Sequence, residues 1–210
     1  TEISRLANWT ILQIDKDIDY VFELQSDEVV HEKHLEELRN LPERMKTEGK
    51  TAARWKYLHF LGNPETIFSF CYSDLVRVVK RRCGWNVVGD GVQFSIGEHN
   101  IPESEVLTTN IEVYHYGKMK DPNKAWDKEW AFQQLFKDIG FPDPKMKEMQ
   151  EKLGSKFCDY VYLFENNIKD KKVWKFEGTH PKTMQDRIAQ FKGSGWEQFE
   201  SRMKEGLKLL

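Results

Sequence analysis

Short apolar runs alternate with amphipathic helical patterns along this 210-residue chain. Residues 3–14 place apolar side chains at helical spacing, and residues 20–24 (YVFEL) form a short, mostly apolar run typical of a buried strand. A second helical pattern follows, with Leu35, Leu38 and Leu41 on one face. Alternating strands and helices predict a protein of the α/β class.

The same alternation continues along the rest of the chain. The aromatic-rich segment 51–61 predicts a strand that leads to a turn at 62–64, and the segment 84–97 is rich in turn residues. The other predicted elements are strands at 74–80, 111–117 and 173–176, helices at about 123–139 and 145–153, a proline-marked loop at 141–144, and a helical tail at 182–210 interrupted at 193–195.

Composition and charge exclude several classes of protein. Hydrophobic residues make up 39% and charged residues 31%, as in soluble globular proteins, and the net charge of −2 provides no overall field for nucleic acid. No apolar run approaches the roughly 20 residues that span a bilayer. The three cysteines are few, odd in number and widely spaced, which predicts a reducing compartment such as the cytoplasm.

Two adjacent carboxylates follow the first predicted strand. Asp27 and Glu28 come directly after its carboxyl end, where open α/β sheets bind their ligands. Hard cations such as Mg²⁺ and Mn²⁺ prefer oxygen ligands and usually take one or two carboxylates, so the pair is a candidate metal site. A solvated acidic turn, or a cap for the helix that begins near His31, explains the same residues equally simply.

Four further residues have both a structural and a chemical interpretation. His115 lies on an otherwise apolar strand, either as a hydrogen-bonded core histidine or as a nitrogen ligand to the same metal. Lys118 and Lys120 follow that strand, either on the surface or in contact with a diphosphate. Asp90 lies between two glycines and is either a turn aspartate or a general base beside an acceptor hydroxyl.

Six segments occur in a defined order between residues 20 and 181. They are 20–32 (YVFELQSDEVVHE), 55–62 (WKYLHFLG), 72–77 (YSDLVR), 89–94 (GDGVQF), 113–117 (VYHYG) and 176–181 (FEGTHP). In type and order they resemble the segments W-x-F-Y-L-Q-A-D-E-V-x-H-E, Y-L-H-F-Y-G, W-Y-x-x-E-V-R, G-D-A-Q-G-F, V-Y-H-Y-G and F-K-G-x-H-P of a bacterial branch of glycosyltransferase family 2. The resemblance covers most of the chain.

The resemblance implies a GT-A fold, in which a mixed sheet lies between helices, over residues 1–181, with a helical extension at 182–210. It implies inverting transfer of a sugar from a nucleotide-diphosphate donor to a glycan or other hydroxyl acceptor, with Mg²⁺ or Mn²⁺. Such enzymes work in glycan assembly, in the cytoplasm or at the inner face of the membrane. The family's first strands, which hold the nucleotide base, have no counterpart here, so we expect the metal and acceptor part of the enzyme.

The resemblance also implies a role for each candidate residue. Asp27 and Glu28 are expected at the metal, with Glu28 orienting the turn or a bound water, and His115 is expected to complete the metal shell. The other expected roles are Asp90 as base, Lys118 and Lys120 at the diphosphate, and Gln25, Tyr57, His59 and Trp85 along the sugar or acceptor cleft. The alternative functions are a non-catalytic sugar- or nucleotide-sugar-binding module of the same fold and an interaction protein.

Overall fold

A computed structural model of the protein describes residues 2–69, 72–89, 91–97, 99–119 and 173–191, together with residues 197 and 201. The chain divides into two compact units. The first unit comprises Thr1–Leu58 and Tyr72–Tyr114, and the second comprises His59–Cys71 and His115–Leu210. The predicted boundary between residues 181 and 182 stays a prediction.

The described elements follow in chain order. They are α1 (Glu2–Gln13), β1 (Tyr20–Phe22), β2 (Glu28–Val30), a 3₁₀ helix (Glu32–His34), α2 (Leu35–Thr47), β3 (Ala52–Leu61), β4 (Thr66–Phe68), β5 (Asp74–Lys80), β6 (Asn86–Val88), β7 (Gln93–Ile96), β8 (His99–Asn100), a 3₁₀ helix (Glu103–Glu105), β9 (Val106–Lys118), β10 (Val173–Lys175) and α3 (Lys182–Ala189). Strands β3 and β9 contribute residues to both units.

The main sheet of the first unit is organised around β5. This strand pairs in antiparallel fashion with β1, where Val21 lies opposite Val79, and with β3, where Ala52 lies opposite the same Val79. The register of β3 shifts between Ala53 and Arg54. Strand β9 pairs with β2 and β3, and β6, β7 and β8 form a separate antiparallel sheet.

Both faces of this main sheet are covered. Neighbouring residues of a strand point to opposite sides of the sheet, so Ala52 and Ala53 of β3 belong to different cores. On one face Ala53 and Trp55 of β3 pack in a core with Leu41 and Met45 of α2. On the other face Ala52 packs in a second core with residues of the small sheet and with partly buried residues of α1. The first unit is therefore a sheet with α2 on one face and with the small sheet and α1 on the other, which is compatible with the α/β class.

The second unit contains an aromatic cluster centred on Phe60. Its ring stacks on Tyr116 at 4.8 Å between centroids and meets Phe176 edge to face at 5.1 Å. The Tyr116 hydroxyl and the Pro64 carbonyl lie 2.9 Å from the two ring nitrogens of His180. Because a carbonyl only accepts, Nε2 of His180 carries the proton and Nδ1 accepts from Tyr116. His180, which in the sequence only marks the end of a motif, is thus a structural residue.

Most predicted elements within the described residues are confirmed, namely α1, α2, β1, β3, β5, β10 and the start of the C-terminal helix. Two differ. Strand β9 begins at Val106 rather than at 111, and the segment 84–97 contains β6 and β7 rather than turns alone. The predicted helices at 123–139 and 145–153 and the loop at 141–144 lie outside the described residues. Within the part of the chain that the structure describes, no helix is long and apolar enough to cross a membrane.

Candidate functional site

The polar segment after β1 forms a turn that is closed by its own last residue. The Glu28 N–H donates to the Gln25 carbonyl at 3.0 Å, and the Gln25 N–H donates in return to Oε2 of Glu28 at 3.0 Å. Asp27 lies inside this turn and is half-buried. The turn Gln25–Glu28 therefore has a defined backbone geometry and contains Asp27.

The simpler explanations of the two carboxylates are wrong for Glu28. Only 3% of its surface is exposed, so it does not belong to a solvated acidic turn. The following 3₁₀ helix is capped by His31, whose Nδ1 accepts a hydrogen bond from the Lys33 N–H at 3.1 Å. The cap is thus supplied by a histidine and not by either carboxylate.

The carboxylate of Glu28 lies against the fully buried side chain of Arg77 from β5. Nη2 of Arg77 donates to Oε1 of Glu28 at 2.8 Å, and the Tyr57 hydroxyl donates to the same oxygen at 2.8 Å. Nε of Arg77 donates in turn to the Tyr57 hydroxyl. These three side chains form a buried polar network in which a charged hydrogen-bond donor faces a charged acceptor.

A second carboxylate approaches the same guanidinium. Oε2 of Glu23 lies 3.4 Å from Nη1 of Arg77. Burial raises the pKa of Glu23 to about 7, although the charge of Arg77 acts to lower this pKa, and the nearby Glu28 raises it further. Glu23 therefore changes its charge near neutral pH. The Tyr57 phenol does not, because burial raises its pKa well above its ordinary value.

Gly91 lies next to the turn Gln25–Glu28. The side-chain amide of Gln25 donates to the Gly91 carbonyl at 3.3 Å. Gly91 adopts φ 93°, and a Cβ at this position would lie 2.8 Å from Cγ2 of Ile3 in α1. Both the backbone conformation and the close approach of α1 thus require glycine. Asp90 itself lies outside the described residues, and its role as base stays a prediction.

The role of Asp27 as a metal ligand stays a prediction. Mg²⁺ usually takes one or two carboxylates, with phosphates and water as its remaining ligands. Among the described residues no group of three or more histidine, cysteine, aspartate or glutamate side chains is placed to hold a metal on its own. Both oxygens of Glu28 already accept hydrogen bonds, so the structure favours its role in orienting the turn over its predicted role as a ligand.

The predicted lining residues of the first unit differ in their surroundings. Gln25 belongs to the turn described above. Tyr57 is buried in the core that contains α2, with its hydroxyl on Glu28. Trp85 is partly buried against the second core, and its indole N–H has no hydrogen-bond partner among the described residues. Tyr57 was predicted to line a cleft, but in the structure its side chain belongs to the buried network with Glu28 and Arg77.

The second unit contains three of the predicted site residues. His59 is 2% exposed, and its Nδ1 lies 2.9 Å from Nδ1 of His115, so one ring donates and the other accepts. The Lys118 ammonium lies 5.9 Å from the centre of the Phe68 ring. The interpretation of His115 as a hydrogen-bonded histidine is thus confirmed, and its role as a metal ligand stays a prediction. Lys120 lies outside the described residues.

Sequence reasoning missed Arg77 and Glu23. Both signals were present, since each is the one charged residue within a short apolar run, LVRVV at 75–79 and YVFEL at 20–24. A charge on a buried strand is rarely left without a partner of opposite sign. Two such strands with opposite charges could therefore have been predicted to pair.

No protein-family model matches the chain, and no curated protein sequence matches it.

Proposed function

We propose that this chain is the metal-binding and acceptor-side part of an inverting glycosyltransferase with the GT-A fold. Such an enzyme moves a sugar from a nucleotide-diphosphate donor to a hydroxyl acceptor. The hydrogen bond from Gln25 to Gly91 carries this proposal, because it joins the turn that contains Asp27 to the residue that follows Asp90. A metal-binding carboxylate and a general base must be close together to act on one substrate.

Two features of the first unit support this function. Its main sheet has helix α2 on one face and helix α1, with the small sheet, on the other, so helices contact both faces, as in a GT-A fold. The turn Gln25–Glu28 follows strand β1 of that sheet after two residues, and it leaves Asp27 half-buried and so within reach of solvent. A partly exposed carboxylate at such a position suits the binding of a hydrated divalent cation.

In the proposed reaction the acceptor hydroxyl oxygen forms a bond to the anomeric carbon of the donor sugar. The bond from that carbon to the diphosphate oxygen breaks, and its electron pair leaves with the nucleoside diphosphate. The hydroxyl proton passes to the carboxylate of Asp90, and attack on the face opposite the leaving group inverts the anomeric centre. A bound Mg²⁺ or Mn²⁺ supplies charge stabilisation for the leaving diphosphate. Asp27 would hold this ion.

A hydrolysis assay of the full-length protein with a panel of nucleotide sugars, in the presence of Mn²⁺, tests the proposal. We expect hydrolysis of at least one donor, and we expect Asp27→Ala to reduce its rate by about 100-fold or more, because metal stabilisation is worth several kcal/mol. In a parallel assay with hydroxyl acceptors added, Asp90→Asn should reduce sugar transfer by about 100-fold. Asp17→Ala, a change at an exposed carboxylate outside the turn, is the matched control.

Two results would contradict the proposal. One is hydrolysis that Asp27→Ala leaves unchanged. The other is the absence of hydrolysis with every donor, and donor binding without hydrolysis would then favour the non-catalytic module.

A further inference from the structure

Arg77 contacts both ends of the loop that carries Asp27. Its Nη1 approaches Glu23, which precedes the loop, at 3.4 Å, and its Nη2 donates to Glu28, which follows the loop, at 2.8 Å. The Glu23 N–H also donates to the Arg77 carbonyl at 2.9 Å. One buried residue of β5 therefore connects the two points where the loop leaves and rejoins the sheet.

Glu28 connects Arg77 to the backbone of the turn through hydrogen bonds. Its Oε1 accepts from Arg77 and from the Tyr57 hydroxyl, and its Oε2 accepts from the Gln25 N–H. The two oxygens of a carboxylate are held rigidly relative to each other. The position of Oε1 against Arg77 therefore determines where Oε2 lies relative to the Gln25 N–H. Hydrogen bonds to a charged group are also short and strong, which makes such a connection stiff.

The connection extends to the glycine loop. Gln25, whose N–H is held by Glu28, donates through its side-chain amide to the Gly91 carbonyl. A continuous series of hydrogen bonds therefore leads from Arg77 through Glu28 and Gln25 to Gly91.

We infer that Arg77 and Tyr57 are positioning residues, which act through Glu28 and Gln25 to set the geometry of the Asp27 turn and of the loop at Gly91. The chemical consequence rests on the proposed function, because it assumes that Asp27 binds a metal. The positioning itself follows from the contacts alone. Replacing a residue that orients a metal ligand weakens metal affinity by about 10- to 100-fold.

Backbone amide NMR of the ¹⁵N-labelled protein, with Mn²⁺ alone as the probe, tests this inference. The variants are Arg77→Lys, which keeps the charge but not the planar fork, and Tyr57→Phe, which removes one hydroxyl. Arg54→Lys is the matched control, because Arg54 lies on β3 and pairs with Asp74 and Glu103 away from this network. Melting temperatures show whether each variant remains folded.

In the wild type we expect Mn²⁺ to broaden the amide signals around Asp27. Arg77→Lys and Tyr57→Phe should shift the signals of Gln25, Glu28 and Gly91, and the same broadening should then need roughly tenfold more Mn²⁺. Arg54→Lys should change neither. If Arg77→Lys fails to fold, Tyr57→Phe provides the same two measurements.

The outcomes separate this inference from the proposed function. Unshifted signals at Gln25 and Gly91, or unchanged Mn²⁺ broadening in the folded variants, would overturn the inference while leaving the metal site intact. Shifted signals in a protein whose wild type shows no Mn²⁺ broadening at Asp27 would support the positioning and refute the proposed function. Asp27→Ala, which should abolish the broadening, identifies the metal ligand independently.

Discussion

Arg77 and Glu28 form an ion pair whose side chains are both fully buried, with Nη2 and Oε1 2.8 Å apart. Removing two charges from water costs several kcal/mol, and this cost is recovered only with good geometry and further hydrogen bonds. Tyr57 and the Gln25 N–H provide those bonds to Glu28. A buried ion pair of this kind contributes little net stability to a protein. We therefore attribute the Arg77–Glu28 pair to its role in positioning the Asp27 turn.

Arg77→Met should destabilise the protein by about 3–5 kcal/mol, because it leaves the Glu28 charge buried without its guanidinium. Arg54→Met, which removes a partly exposed arginine with two carboxylate partners, should cost about 1 kcal/mol or less. Urea unfolding of both variants measures the free energies of unfolding. The double variant Arg77→Met/Glu28→Gln should recover part of the stability lost in Arg77→Met. If Arg77→Met and Arg54→Met lost equally little stability, the buried ion pair would not have the proposed importance.

The stability of the protein should fall between pH 5 and pH 8 because of Glu23. Burial raises its pKa from the ordinary value of 4.5 to about 7, so the folded state binds the proton more tightly than the unfolded chain. The stability gained from this proton is fully present below pH 4.5 and is lost as the pH rises through 7. The loss amounts to about 1–3 kcal/mol, since one pKa unit corresponds to about 1.4 kcal/mol.

Glu23→Gln, which keeps the size of the side chain and removes its titration, tests the origin of this fall. Urea unfolding at several pH values between 5 and 8 should show a flatter dependence for the variant than for the wild type. Identical slopes in the two proteins would show that another group is responsible.

Gly91→Ala should destabilise the protein more than Gly49→Ala. Both glycines have positive φ, at 93° and 65°, which costs an alanine about 1–2 kcal/mol. At Gly91 the added Cβ also meets Ile3 at 2.8 Å, whereas at Gly49 no atom lies within 4 Å. The contact should add about 1–3 kcal/mol.

Thermal unfolding of the two glycine variants checks this difference. Ile3→Ala in the Gly91→Ala background should restore part of the loss, because it removes the contacting methyl group. Equal losses at the two glycines, or no effect of Ile3→Ala, would contradict the close packing of this loop on α1.

Local patterns in the sequence were sufficient to predict both helices of the first unit and its strands β1, β3 and β5. The apolar run 20–24 and the polar residues after it predicted both β1 and the position of the turn. The burial of Glu28 was not predictable from its neighbours, because it depends on Arg77, which is 49 positions away in the sequence. Hydrophobic periodicity describes one strand at a time and contains no information about which strands pair.

The small sheet was missed for a related reason. Its strands β6 and β7 have only three and four residues. Among turn residues such as Gly84, Gly89 and Gly97, an alternating pattern of that length is too short to recognise. Pairing between the strands, rather than the pattern within each, determines this sheet.

Isothermal titration of nucleoside diphosphates into the full-length protein tests the central claim, the role of Asp27 at a metal–diphosphate site, most directly. The wild type and the control Asp17→Ala should bind at least one nucleoside diphosphate with Mn²⁺ present, and EDTA should abolish this binding. Asp27→Ala should weaken it by about tenfold or more, since the ion loses its protein carboxylate. Binding that is equally tight in Asp27→Ala, or that does not depend on Mn²⁺, would contradict the account.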